Sequence, residues 1–211
     1  MLILFALITA VSCLCLVASE RGDSRIGVSI FKGIASSAFV GAGIAAGAFA
    51  SGYGRLVLLA LAFSWLGDLL LIPKNRRHFF LLGMASFLLA HLAYCAAFIS
   101  RGISTTAIAL ASAAMAVVAL ALYRWLGPSL SGAFKFAVPA YILAISCMTV
   151  LAASASAIMR DPLPLVGAIL FAASDAAVAR DRFVAPAWPN RAVGLPLYYA
   201  AQLLMAMTAL R

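Results

Sequence analysis

Apolar residues occur in long runs along this chain, and short segments rich in charged residues, Gly and Pro separate the runs. Most runs have the length, about 17 to 25 residues, of an α-helix that crosses the hydrocarbon core of a bilayer. The runs are apolar on every side, whereas strands of a membrane β-barrel alternate apolar and polar positions. The pattern predicts an all-α polytopic membrane protein, a single bundle of eight transmembrane helices. The expected spans are 2–19, 26–50, 56–72, 78–99, 103–123, 136–158, 163–179 and 192–210.

The composition leaves little room for anything besides these helices. Of 211 residues, 66% are hydrophobic and 10% are charged, so eight spans use nearly the whole chain and predict one transmembrane domain over 1–211. The first run has no basic residue before its apolar core and no A-x-A cleavage site, so we expect it to remain as the first span. The four cysteines lie within apolar runs without ligand spacing, so we expect neither a metal site nor a cofactor.

The net charge of +9 points to the membrane surface and not to nucleic acid. Ten basic residues fall at the odd-numbered linkers and four on the opposite side, which predicts both termini outside the cell membrane and the odd linkers in the cytoplasm. The ten are Arg21, Arg25, Lys74, Arg76, Arg77, Arg124, Lys135, Arg180, Arg182 and Arg191, and the four are Arg55, Arg101, Arg160 and Arg211.

Three ionisable residues interrupt the apolar runs: Lys32, Asp68 and Asp175. Each costs about 2.5 to 3.5 kcal/mol near the middle of a membrane helix, so each needs an explanation. Both aspartates lie about five residues before their spans end, roughly 7 Å below the cytoplasmic ends at 1.5 Å per residue. Lys32 lies about 9 Å from the start of a span that runs the other way. We therefore expect the three side chains to meet.

Further polar residues recur at helical spacing on faces that can point inward. His91 and Tyr94 continue a stripe on the fourth span, Tyr198 and Gln202 share a face of the eighth, and Tyr141 enters the sixth. His91 lies near mid-bilayer and is expected at the floor of a polar chamber that opens toward the cytoplasmic leaflet. The alternative is that these groups, and Lys32 with the aspartates, only hold the helices together.

Two carboxyl groups in one chamber suit acid/base chemistry. One that keeps its proton acts as a general acid, and one that stays ionised acts as a base or stabilises a developing cation. Acetal-like bonds that pass through an oxocarbenium ion use this division of labour. A vinyl ether requires the same two groups, because protonation at carbon also gives an oxocarbenium ion.

Four motifs occur in order along the chain: S-x-x-G-D ending at Asp68, F-x-x-G-x3-F-x3-H-x-x-Y ending at Tyr94, G-A-x-x-F-x-x-S-D ending at Asp175, and Y-Y-x-x-Q ending at Gln202. Together they resemble the YhhN-like lysoplasmalogenase family over residues 26–210. The resemblance implies a membrane hydrolase that cleaves the vinyl ether of lysoplasmalogens to a fatty aldehyde and a glycerophospho-headgroup, with Asp68 and Asp175 at the positions of the catalytic acids. The expected substrate-binding residues are Lys32, Ser64, His91, Tyr94, Tyr141, Ser174, Tyr198 and Gln202.

Other functions stay open at this point. A proton-coupled transporter of a small amphiphile would use the same Asp, Lys and His groups, and a lipid-binding scaffold would need no chemistry. The expected partners are a lysophospholipid and membrane lipids; Gly43 and Gly47 form a G-x-x-x-G pattern, which suits helix packing within one copy better than a homodimer. The basic residues that follow each aspartate could meet a lipid phosphate: Lys74, Arg76 and Arg77, or Arg180 and Arg182.

Overall fold

A computed structural model describes residues 1–73 and 76–210. Lys74 and Arg211, both counted above for orientation, lie outside the described residues. The described residues contain eight α-helices, each long and apolar enough to cross a membrane, which confirms the predicted all-α membrane fold. The helices are α1 (Leu2–Arg21), α2 (Arg25–Ala45), α3 (Gly52–Leu70), α4 (Arg77–Ile99), α5 (Thr105–Leu126), α6 (Phe134–Met159), α7 (Leu163–Ala179) and α8 (Trp188–Met207).

The link between α2 and α3 differs from the prediction. α2 ends at Ala45 instead of residue 50, because Gly47 adopts a left-handed conformation with φ +83° that an α-helix cannot contain. A short 3-10 turn follows, and the Ser51 hydroxyl caps α3 by accepting a hydrogen bond from the Gly54 amide at 2.9 Å. α3 consequently begins at Gly52, four residues before the predicted start.

The segment predicted as a linker over 180–191 is mostly helical. α7 continues into a π-helical turn (Arg180–Val184), and α8 begins at Trp188 instead of residue 192. Pro189 lies in the first turn of α8, where its missing N–H costs nothing because that amide has no helical partner. The charges and prolines of this segment indicated a loop, but they also fit helix ends.

Successive helices pack closely against each other, except α4 and α5, and the short linkers alternate between two faces of the bundle. We call the face with the α1–α2, α3–α4, α5–α6 and α7–α8 linkers the odd-linker face, and the opposite one the even-linker face. α8 contacts α1, α2, α3 and α7, while α6 contacts α4, α5 and α7. α5 is the most peripheral helix, and within it only Leu126 is buried.

Large apolar side chains cover the outside of the bundle. Leu110 and Val117 on α5 are 71% and 69% exposed, and Phe136 on α6 is 80% exposed. Such surfaces are stable in hydrocarbon, and their breadth exceeds what a soluble monomer exposes. The chain is therefore a multi-pass membrane protein.

Candidate active site

A cavity of about 610 Å³ opens at the odd-linker face and extends into the bundle, where residues of α2 through α8 line it. The residues around its mouth come from the ends of α1, α5 and α8 and from the α3–α4 and α7–α8 linkers. Both aspartates singled out from the sequence line this one cavity. Six of the ten predicted site residues do so: Lys32, Asp68, Tyr141, Ser174, Asp175 and Tyr198.

Asp68 is 3% exposed and is surrounded by donors from two other helices. Its Oδ2 accepts hydrogen bonds from Ser36 Oγ at 2.6 Å and from Tyr198 Oη at 2.7 Å. Lys32 Nζ lies 3.6 Å from its Oδ1. A carboxylate taken out of water needs such donors and an opposite charge to stay ionised, and Asp68 has both.

The α2 helix supplies two of these partners from one face, since Lys32 and Ser36 are four residues apart. Tyr199 Oη lies 3.2 Å from Ser36 Oγ and extends the network by one hydroxyl. Neither Ser36 nor Tyr199 was among the predicted site residues. The i+4 spacing of Ser36 from a buried lysine was the signal that could have found it.

Asp175 has a different environment. Its side chain is 20% exposed, and its Oδ2 accepts one hydrogen bond, from Tyr141 Oη at 2.9 Å. Lys32 pairs with Asp68 and not with Asp175 among the described residues, so the predicted meeting of all three charges holds for one pair only. Tyr141 was predicted at this site, and it contacts the carboxylate directly.

The two aspartates do not share one depth measured from their helix ends. α3 ends two residues after Asp68, whereas α7 ends four residues after Asp175 and then continues through the π turn. The estimate of equal depth was wrong in this respect, because it placed both helix ends at the first charged or proline residue. What the two carboxyl groups share is the cavity.

An aromatic cluster links the surroundings of the two aspartates. The Phe171 ring lies 5.6 Å from the ring of Tyr198, the donor to Asp68, and 4.8 Å from the ring of His91, which neighbours Asp175. Phe87 packs edge-on against both Phe171 and Tyr198. These rings lie on α4, α7 and α8, so the cluster packs those three helices together next to both carboxyl groups.

His91 does not form the floor of the cavity. Its side chain is fully buried between Tyr141 and Phe171, and its Nε2 lies 3.7 Å from Asp175 Oδ2, beyond hydrogen-bond distance. Neither ring nitrogen has a hydrogen-bond partner among the described residues. Phe80 and Phe87 of the predicted stripe on α4 line the cavity, but α4 is rotated so that the His91 ring packs outside the cavity lining.

Three other predicted residues also lie away from the cavity. Tyr94 Oη donates to Gln202 Oε1 at 3.0 Å, and both side chains are fully buried, so this pair joins α4 to α8. Ser64 Oγ is buried, and the Ser64 carbonyl accepts a 3.4 Å hydrogen bond from Tyr198. Ser174 lines the cavity, but its hydroxyl is engaged, donating to the Gly194 carbonyl at 2.9 Å.

Charged side chains surround the mouth. Arg191 bridges two carboxylates, donating from Nε to Asp181 Oδ2 at 3.0 Å and from Nη1 to Glu20 Oε2 at 3.1 Å. This network was not predicted, because its members lie far apart in sequence. Arg182 also lines the mouth, with its guanidinium 4.7 Å from the centre of the Phe80 ring, and so does Arg76.

The other basic residues considered for a phosphate are placed differently. The Arg77 guanidinium lies over the Phe134 ring at 5.5 Å, and Arg180 donates to Asn190. Neither lines the cavity, and Lys74 lies outside the described residues. Arg76 and Arg182 are thus the two members of the predicted set that face the cavity.

Comparison with known proteins gives consistent results. The family model described as the YhhN family matches residues 1–209. The chain is 32% identical over 161 residues to lysoplasmalogenase TMEM86A of Bos taurus, covering 72% of this chain and 64% of that protein. It is 33% identical over 164 residues to the lysoplasmalogenase of Mycobacterium tuberculosis, covering 72% of this chain and 59% of that protein. The match thus spans less than two thirds of the length of these relatives. No solved structure matches the chain significantly.

Proposed function

The chain belongs to the YhhN family, and we propose that it is a membrane hydrolase, acting as one transmembrane domain, that cleaves the vinyl ether of lysoplasmalogens. The products are a fatty aldehyde and a glycerophospho-headgroup. Relatives named lysoplasmalogenase support this reaction. The observation that carries the proposal is that Asp68 and Asp175 line one cavity, and that each carboxyl group accepts a hydrogen bond from a tyrosine hydroxyl.

In this proposal the odd-linker face lies in the cytoplasm and both termini lie outside. The excess of Arg and Lys at the odd linkers supports that orientation. The mouth then opens among the headgroups of the cytoplasmic leaflet. The phosphate of a single-chain lipid binds Arg76 and Arg182, and the vinyl ether, one glycerol unit deeper, reaches the aspartates.

The two carboxyl groups take different roles because their donors differ. Asp68 receives two hydroxyl hydrogen bonds and faces the Lys32 ammonium, and all three stabilise a carboxylate. Asp175 accepts one hydrogen bond from a hydroxyl, and no Lys or Arg pairs with it among the described residues; its neighbour at 3.7 Å is the fully buried His91 ring. Asp68 is therefore the ionised group and Asp175 the one that carries a proton.

The reaction then follows in three steps. Asp175 transfers its proton to the β-carbon of the vinyl ether, and the positive charge that develops on the ether carbon and oxygen is stabilised by Asp68. Water adds to the cationic carbon while Asp68 takes a proton from it. The hemiacetal collapses: Asp68 returns a proton to the departing glycerol oxygen, and the hemiacetal hydroxyl gives its proton to Asp175, which restores both groups.

The even-linker face favours a hydrolase over a transporter, which would need an opening on both sides. There the Arg101 guanidinium lies 3.9 Å from the centre of the Tyr53 ring. Ser154 Oγ accepts the Ser104 amide at 2.8 Å and ties α6 to the start of α5. These contacts hold helix ends together opposite the mouth, where a transporter would need its second opening.

The test is aldehyde release from a lysoplasmalogen by the purified protein in nanodiscs, with aldehyde reductase and NADH consumption as the readout. We expect Asp68→Asn and Asp175→Asn each to lower the rate by about 10²- to 10⁴-fold, the usual contribution of an acid or base. Asp23→Asn is the matched control: Asp23 is exposed at φ +49°, a conformation that Asn tolerates. Full turnover in either aspartate variant would refute the assigned roles, and no aldehyde from the wild type would refute the reaction.

A further inference from the structure

One part of the cavity has no role in the chemistry proposed above. Met115, Val118, Leu122 and Leu126 of α5 line it at spacings of three and four, so they form one face of that helix. From Leu126 near the mouth to Met115 this face spans twelve residues, about 16 Å along the helix axis. We call this part of the cavity, bounded by α5, α6 and α7, the apolar arm.

The wall opposite α5 is made of small and aliphatic side chains. α7 contributes Ile169, Ala172 and Ala173, which precede Asp175 by up to six residues, and α6 contributes Ile142 and Ile145. Alanine leaves space between two helices where a larger residue would fill it. The arm therefore runs from the aspartates toward the middle of the membrane.

The apolar arm opens sideways as well as toward the mouth. Val118 is 44% exposed and Ile169 is 51% exposed, although both line the cavity. α5 packs on α6 and approaches the π turn, while α7 packs on α6 and α8. Because α5 and α7 do not pack closely against each other and both are membrane spans, the space between them would face hydrocarbon.

We propose that the apolar arm binds the alkenyl chain of the substrate and that the chain enters from the bilayer between α5 and α7. The identity of the chain rests on the proposed function. The guanidinium groups of Arg76 and Arg182 at the mouth complement a phosphate, and the arm continues from the same cavity without a break. The mouth also holds the carboxylates of Glu20 and Asp181, both paired with Arg191, so the arginines leave it with a net positive charge. A cavity with such a charged end and an apolar end matches an amphiphile with one chain.

Lateral entry follows from the free energy of the chain. A lysolipid in the membrane already has its chain in hydrocarbon, and entry through the aqueous mouth would expose every methylene to water. Passage between α5 and α7 exchanges one apolar surrounding for another. Because lipid is as apolar as the walls of the arm, the arm selects chains by its length and shape, and a chain that does not fit is excluded from the site.

Two neighbouring valines on α5 test the proposal. Val118→Trp places a large ring in the arm, whereas Val117→Trp adds the same bulk at a position that is 69% exposed and does not line the cavity. The probes are lysophosphoethanolamines with a saturated ether-linked hexadecyl or octyl chain, which lack the vinyl double bond and bind without being cleaved. Binding to the whole protein in nanodiscs is measured by displacement of a fluorescent lysolipid.

We expect Val118→Trp to weaken hexadecyl binding by at least about tenfold, as a poor fit in an apolar pocket does. Octyl binding should change less, and Val117→Trp should match the wild type. Ala173→Phe narrows the arm from the α7 side and should act like Val118→Trp, which keeps the test valid if one variant folds poorly. Equal effects of Val118→Trp and Val117→Trp on both probes would overturn the proposal. Because the probes are not substrates, this result is independent of whether the wild type releases aldehyde.

Discussion

Replacing Tyr198 with Phe removes one hydroxyl from the site and leaves the ring in place. That hydroxyl donates to Asp68 Oδ2 at 2.7 Å, while the ring packs against Phe39, Phe87 and Phe171. A hydrogen bond to a charged group contributes about 1.5 to 3 kcal/mol. At about 1.4 kcal/mol per tenfold in rate, losing it from the group that stabilises the oxocarbenium ion should lower kcat by roughly 10- to 100-fold.

Tyr199→Phe is the matched control, because it makes the same change one residue away. Tyr199 Oη contacts Ser36 Oγ at 3.2 Å and does not touch Asp68, so only a bond between neutral groups is lost. That bond contributes about 0.5 to 1.5 kcal/mol to stability. We expect kcat of Tyr199→Phe to stay within about threefold of the wild type, since Ser36 still donates to Asp68.

The assay is steady-state aldehyde release over a range of substrate concentrations, together with the unfolding temperature of each variant. If Tyr198 acts through Asp68 in the transition state, kcat and kcat/KM fall together and KM changes little. A structural role would lower the unfolding temperature of both tyrosine variants and would not separate their kcat values. Equal kcat for Tyr198→Phe and Tyr199→Phe would refute the assignment of Asp68 as the charge-stabilising group.

Two further variants test other contacts of the site. Tyr141→Phe removes the hydroxyl that donates to Asp175, and we expect kcat to drop by about 3- to 30-fold. Its control is Tyr123→Phe, at an exposed position on α5, which should leave kcat unchanged. A wild-type rate in Tyr141→Phe would show that the proton donor does not depend on this hydrogen bond. Gly67→Ala would place a Cβ 2.7 Å from the Phe87 ring and should destabilise the fold by about 1 to 3 kcal/mol. Gly33→Ala is the control: an added Cβ there meets open space, so the change should be neutral or stabilising. Thermal unfolding in detergent measures this difference, and equal unfolding temperatures for the two alanine variants would contradict the close packing of α3 on α4.

The sequence predicted the fold well because a membrane helix is specified locally. A run of about 20 apolar residues is enough to cross the bilayer, and its partners along the chain do not change that. The ends of the helices were less predictable. The apolar run predicted a helix through Gly47, which instead adopts a left-handed conformation and ends α2, whereas Pro189 indicated a loop and lies in the first turn of α8.

The charged residues of the site were predictable, because burying a charge in a membrane helix costs free energy and such residues are rare there. Lys32, Asp68 and Asp175 stood out in their runs, and all three line the cavity. The neutral donors did not stand out, because a Ser such as Ser36 is common in membrane helices and costs little when it bonds to its own backbone. The charged bridge of Arg191 at the mouth needs α1, the π turn and α8 together, so no local pattern indicated it.

The amino-acid order alone determined that eight helices cross the membrane and that two carboxyl groups lie within them, because hydropathy and the cost of burying a charge are properties of each residue. Tertiary structure decided which polar side chains face the cavity. His91 and Tyr141 both suited an inward face, yet Tyr141 contacts Asp175 and His91 packs behind it. That choice depends on how far each helix is rotated about its own axis, and the rotation is set by the packing of neighbouring helices.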